Sequence, residues 1–234
     1  MINEKLDAIY CIVNQTYEPD RVHRLVKHVL DRLPSFPRNR VKLCAPTWGT
    51  TLSKEHCFTV YDPWLSRPGW PSLTWKNRCL IKGEISLVLN FYAVMRDAVD
   101  NGFKTVLVFE SDVILRNDFE ERLRKLFQVI ETREWDYISL SDGIGTHADC
   151  FTGPFMEQTV GNPTNQFVFR CTDSMLFKTD IFAKIMKTII PFRDCLDWEL
   201  NFQFLVHGGK ALWAEPNLIE QGSNKNVDIS FLPA

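Results

Sequence analysis

The chain has 234 residues, 45% of them hydrophobic and 24% charged, with a formal net charge of −2 and a pI near 6.2. That length supports one domain with a sizeable core. The weakly acidic balance excludes a protein built around a basic, phosphate-binding face, so nucleic acid is not an expected partner.

In chain order, the first seven residues carry mixed charge and no apolar stretch, unlike a signal peptide. Residues 9–13 are apolar and β-prone and predict a buried first strand. Asn14-Gln15-Thr16 is formally a glycosylation sequon, expected to be unused. Pro19 suits the first turn of a helix in which Val22, Leu25, Val26, Val29 and Leu33 recur at helical spacing, and Pro34 and Pro37 end it. Residues 41–44 read as a second strand and 56–61 as a third. Residues 63–75, rich in Pro, Gly, Ser and Trp, read as an irregular surface loop.

A long helix is predicted over 83–100, with Ile85, Leu87, Val88, Phe91, Val94, Met95 and Ala98 on one face and Asn101-Gly102 as its stop. Residues 103–109 form a strand, and Asn117-Asp118 precedes a helix through 130. A strand follows at 137–140. The stretch 142–164 contains Gly143, Gly145, Gly153, Gly161, Pro154 and Pro163 and reads as a second long loop. One or two strands are expected in 167–177, helices at 180–190 and 196–206, and a last strand at 211–214. The alternation of strands and helices predicts an α/β domain whose central sheet is mostly parallel and flanked by helices. No apolar run is long enough for a transmembrane segment. Seven scattered cysteines without a C-x-x-C pair argue against structural zinc and for a reducing, cytoplasmic location.

The informative motif is Val106-Leu-Val-Phe-Glu110-Ser111-Asp112. A strand this apolar is buried on both faces, and two carboxylates just past its end are costly unless balanced. Residues i and i+2 of an extended chain point the same way, so Glu110 and Asp112 can face one point. Hard divalent ions such as Mn²⁺ or Mg²⁺ prefer such oxygens and keep phosphate and water as further ligands. The plainer alternative is a turn with solvated acids.

Three segments, in order, resemble glycosyltransferase family 25 and the wider GT-A group of nucleotide-sugar enzymes. The first is Ile12-Val13-Asn14-Gln15-Thr16-Tyr17-Glu18-Pro19-Asp20-Arg21, similar to a strand end followed by an Asp-Arg helix start. The second is Gly83-Glu84-Ile85-Ser86 with its long helix, then Glu110-Ser111-Asp112, similar to "G-E-I" and "E-D-D". The third is Ser174 to Lys184, then Asp197 and Pro216-Asn-Leu-Ile-Glu-Gln221, similar to the acceptor-side strand and helix, an isolated Asp and a "P-x-L-x-x-Q" strand end. Two positions depart: Asn90-Phe91 stands where the family has Ser-His, and Ser111 replaces the middle acid.

The resemblance implies a single Rossmann-like GT-A domain with a donor-binding half up to about residue 115 and an acceptor-binding half after it. It implies a metal-dependent glycosyltransferase with a nucleotide-sugar donor, UDP-sugar before GDP-sugar, a glycan or glycoconjugate acceptor, and inversion. Glu110 and Asp112 form the DXD-like metal motif, with His207 as a third ligand; His207-Gly208-Gly209 reads equally as a helix end. Asn14, Gln15, Arg21, Gly83, Glu84, Glu110, Ser111 and Gln221 are the donor-binding candidates, and Ser223 could close over the diphosphate. Arg21 reads equally as a surface helix charge, and Glu84 as a helix cap. Asp197 is the candidate base, with Glu199 in reserve; an N-cap role for Asp197 is the alternative. Trp70, Trp75 and Lys76 are candidates for acceptor contact or gating. Competing classes are a nucleotidyltransferase, disfavoured because Asn14-Gln15-Thr16-Tyr17 contains no glycine and no P-loop or dinucleotide fingerprint occurs, and a non-catalytic carbohydrate-binding relative.

Overall fold

The computed structural model describes residues 2–70, 78–153 and 157–222. In chain order its elements are α1 (Ile2–Lys5), β1 (Ala8–Ile12), α2 (Pro19–Arg32), β2 (Val41–Leu43), α3 (Lys54–Val60), α4 (Lys82–Asp100), β3 (Thr105–Glu110), β4 (Val113–Leu115), α5 (Phe119–Val129), β5 (Tyr137–Ser139), β6 (Thr159–Gly161), β7 (Ser174–Lys178), α6 (Asp180–Ile185), α7 (Leu196–His207), β8 (Ala211–Glu215) and β9 (Ile219–Gln221).

Seven strands form one sheet in the order β2-β1-β3-β7-β5-β8-β6. The pairings β1·β2, β1·β3 and β5·β8 are parallel, and those flanking β7 and joining β6 to β8 are antiparallel, so only β6 and β7 oppose the common direction. The fold is α/β and GT-A-like, of the Rossmann type. Alternate residues serve two cores, one on each face of the sheet. Ala8, Tyr10, Val106 and Val108 face the layer of α4, α6 and α7. Ile9, Cys11, Leu107 and Phe109 face α2 and α5. Stacked and tilted rings fill the first core, with Tyr137 on Phe169 at 4.1 Å and Phe177 on Phe182 at 4.9 Å between centroids. Among the described residues, no helix is long and apolar enough to cross a membrane.

The expected strand over 56–61 is instead α3. Ser53 caps it, its Oγ accepting from the His56 N–H at 3.0 Å. Cys57 and Val60, three residues apart, are the positions it buries, whereas Phe58 is 81% exposed. Helical burial and a cap thus override the β-prone composition, and only Tyr61 makes a bridge, to Phe192. The 167–177 signal yields one strand, β7, because Phe169 leaves the sheet to stack on Tyr137. The helix expected to reach 190 ends at Ile185 and passes into turns.

Two short strands, β4 and β6, were not expected, while β9 ends at Gln221 as the resemblance implies. β4 and β9 pair with each other outside the main sheet. Buried His28 on α2 holds this ribbon, its Nε2 accepting from the Leu115 N–H at 2.9 Å. The Gly222 N–H donates to the Asp112 carbonyl at 2.8 Å. The turn carrying Ser111 and Asp112 is therefore tied at both ends.

Candidate active site

The carboxyl ends of β1, β2 and β3 open on a cavity of about 560 Å³ lined in part by Val13, Asn14, Trp48, Gly83, Glu110 and Ser111. Parallel strands bring their loops to one edge, which is where such sheets bind ligands. The cavity wall is made by close backbone contact: a Cβ on Gly49 would lie 2.8 Å from the Gly83 nitrogen, so only glycine fits there. Thr47 locks this loop to α4, its N–H donating to Asn90 Oδ1 at 2.9 Å while Asn90 Nδ2 returns a bond to the Thr47 carbonyl at 3.2 Å. Asn90, a departure from the family pattern, thus has a structural task. Trp48 stacks on Tyr17 at the cavity rim, with centroids 5.2 Å apart and planes at 12°.

The candidate donor residues separate by what their side chains already do. Asn14 Oδ1 accepts from the N–H groups of Thr16 (2.9 Å) and Tyr17 (3.0 Å), and its Nδ2 donates to the Ala45 carbonyl (2.9 Å). It shapes the exit from β1 while lining the cavity. Gln15 lines a different groove, together with Arg96 and Asp97. Arg21 Nη1 donates to Glu18 Oε1 at 2.9 Å and to Ser111 Oγ at 3.0 Å, so it stands beside the acidic turn. Glu84 caps α4, accepting from the Ile81 N–H at 2.9 Å and from Arg78. Gly83 lines the cavity, and a Cβ there would meet open space. Gln221 accepts from Cys171 Sγ at 3.2 Å. Trp75, Lys76 and Ser223 lie outside the described residues.

The Glu110 carboxyl, in the cavity lining, feels the charges of three other carboxylates. Glu110 ends β3 and accepts from Thr172 Oγ1 at 2.6 Å. Burial pushes its carboxyl up to about 8, against the Thr172 bond, and the charges of Asp112, Asp173 and Asp197 add to the rise. Asp173 is fully buried, bonded to Ser141 Oγ, and raised by burial and by Asp112. Asp197 is half-buried at the start of α7 and accepts from Cys195 Sγ at 3.0 Å. The charge of Asp197, at the start of α7, is felt at Glu110. Among the described residues, no three His, Cys, Asp or Glu side chains are gathered as a self-sufficient metal cage. An oxygen-rich site of one or two carboxylates suits an ion that also keeps phosphate and water ligands.

Two sequence candidates lie elsewhere or are engaged. His207 ends α7, ten residues past Asp197 or about 15 Å along the axis. Its Nε2 meets Thr188 Oγ1 at 2.8 Å, and burial with Lys184 and Lys187 keeps its pKa low. It is not brought to the acids. Glu199 is fully buried, gripped by Arg67 Nη2 at 2.7 and 2.8 Å, and also accepts from the Arg193 N–H and Gln203 Nε2. A carboxylate so occupied is unsuited to proton transfer. The supposed surface loop before Trp70 is in fact pinned to α7 by this buried Arg67, which also pairs with Asp194 at 3.3 Å.

Sequence reasoning missed Trp48, Arg67, Thr172 and Asp173. Trp48-Gly49 in the loop that follows β2 was a readable signal. Arg67 and Asp173 carried none, since their partners lie far away in sequence.

The sheet is α/β and GT-A-like, with a strand-end cavity that Glu110 lines. The curated relatives of this chain are glycosyltransferase 25 family members. No family model matches the chain. It is 30% identical over 118 residues to the Inactive glycosyltransferase 25 family member 3 of Homo sapiens, covering 44% of this chain and 20% of that protein. It is 34% identical over 73 residues to Procollagen galactosyltransferase 1 of Danio rerio, covering 30% and 12%. Procollagen galactosyltransferase 2 of Homo sapiens is 32% identical over 76 residues, covering 32% and 10%. The chain thus spans about a fifth or less of the length of these relatives.

Proposed function

We propose that the chain is a metal-dependent glycosyltransferase that moves a sugar from a nucleotide-sugar donor, UDP-sugar before GDP-sugar, to a hydroxyl of a glycan or glycoconjugate, with inversion. The observation that supports this reading is a nucleotide-sized cavity with Glu110 and Ser111 in its lining, where the charges of Asp112, Asp173 and Asp197 act on the Glu110 carboxyl and a divalent cation would offset them. Asp112 and Glu110 are the residues to hold Mn²⁺ or Mg²⁺, without His207. When bound, the ion supplies positive charge against the departing diphosphate. Arg21, held near Ser111, adds a second positive charge on that side. The nucleoside lies in the cavity, between the Trp48 loop and the start of α4. Asp197 takes the proton of the acceptor hydroxyl as its oxygen bonds to the sugar's anomeric carbon, and the electron pair of the breaking glycosyl–phosphate bond leaves with the diphosphate. Glu199 plays no part in proton transfer and instead anchors the helix that carries Asp197. The free thiols of all seven cysteines support a reducing, cytoplasmic setting.

A second reading is favoured by the relatives whose names call them inactive: a nucleotide- or glycan-binding protein without turnover. Isothermal titration with UDP, with and without Mn²⁺, followed by an assay for slow hydrolysis of UDP-sugars, separates the two. Metal-dependent UDP binding with donor hydrolysis is expected. Glycan binding without any response to UDP and Mn²⁺ would overturn the transferase reading.

A further inference from the structure

We infer that Trp70, Phe167, Trp198 and Phe202 form the acceptor subsite, and that it takes a neutral pyranose ring. This rests on the reading of Asp197 as the base. The four rings come from three places in the chain: the loop after α3, the irregular segment before β7, and the first turns of α7. They meet with centroids 5.8 Å apart for Trp70 and Phe167, 5.6 Å for Trp70 and Phe202, and 4.6 Å for Phe167 and Trp198. Each is half-buried, so each keeps surface open after folding. Trp198 directly follows Asp197 in the first turn of α7, so one ring of the wall and the carboxylate that must reach an acceptor hydroxyl are carried by the same turn.

The chemistry of the wall selects the ligand. Separations of this size are direct ring-to-ring contact, which leaves no gap for a cation to be caged between rings. The nearest guanidinium, Arg67, lies 3.9 Å from the centre of the Phe202 ring but is spent on Glu199 and Asp194 beneath it. Among the described residues, that guanidinium offers no free positive charge to an anionic ligand. What remains is a cluster of half-buried rings, one of them next in sequence to Asp197. That suits a ring with an apolar C–H face and polar hydroxyls at its rim, namely a saccharide. Trp70 Nε1 is buried without a hydrogen-bond partner among the described residues, a donor that a ligand hydroxyl could satisfy after a small shift of the ring. The same rings would offer a peptide no backbone partners.

The test uses the full chain and methyl glycosides of glucose, galactose, mannose and N-acetylglucosamine, observed by ligand-detected NMR with and without saturating UDP and Mn²⁺. At least one glycoside is expected to bind with millimolar affinity, up to about 50 mM. Phe167→Leu and Trp198→Leu should weaken that binding at least tenfold, and Trp198→Phe should restore most of it, while UDP binding in Mn²⁺ stays at the parent value. Phe167 lies outside any helix or strand, so its variant keeps the fold if Trp198→Leu does not. No binding of any glycoside, unchanged affinity in Phe167→Leu, or donor turnover stimulated by a hydroxyl-bearing peptide and by no glycoside would each overturn the assignment. Glycoside binding that persists where UDP does not bind would sink the transferase reading and leave this subsite standing.

Discussion

At Glu110, poor solvation and three neighbouring carboxylates act in the same direction, and both favour the protonated acid. The sign for stability follows. The folded chain holds this proton up to about pH 8, whereas the unfolded chain releases it near the ordinary carboxylate value. The metal-free protein should therefore lose stability as pH rises from about 4.5 to 8. Thermal melts across that range check this, and Glu110→Gln should flatten the slope. Added Mn²⁺ should help more at the alkaline end, where binding the ion no longer has to displace the proton. Asp112→Ala removes one of the repelling charges, so its melting temperature should equal or exceed that of the parent. The same variant should lose Mn²⁺-dependent UDP binding in a calorimetric titration. Retained binding would exclude Asp112 as a ligand to the ion.

The elements that carry the site are fastened by a few buried polar contacts. His28 bridges α2 to β4 as a neutral acceptor, and burial lowers its pKa to about 4. Its contribution is complete above the unfolded value of 6.5 and is lost as pH falls through about 4. The acid limb of the stability profile should shrink in His28→Gln, which circular dichroism melts between those values would detect. Arg67 fastens the loop after α3 to α7. Removing one partner of a buried pair leaves the other charge stranded, which costs about 3–5 kcal/mol. Arg67→Met should therefore unfold at markedly lower urea, and Arg67→Met with Glu199→Gln should recover part of the loss.

Across the molecule, a ligand that binds only the folded chain raises its apparent stability by mass action. UDP with Mn²⁺ at a hundred times its Kd adds about 2.7 kcal/mol, or roughly 5–10 °C for a domain of this size. Differential scanning fluorimetry reads this directly, and no shift with UDP, GDP or their sugars would exclude the nucleotide site.

Local pattern was enough for the parts that depend on it. The unbroken apolar run ending at Glu110 marked a strand buried on both faces, and the spacing from Ile85 to Ala98 marked the helix beside it, because burial imposes those periods. The acids after that strand were legible for the same reason, since carboxylates at the end of an apolar strand are a visible mismatch. The strand expected over 56–61 became α3 because a cap and two buried residues outweighed composition. Which charges meet was decided only by the sheet order. That order sets Asp173 beside the end of β3, as the antiparallel neighbour β7 begins there, and it buries Arg67 against Glu199 from 132 residues away. Electrostatic partnership depends on distance in space, and distance in space is a property of topology that no single segment of the chain encodes.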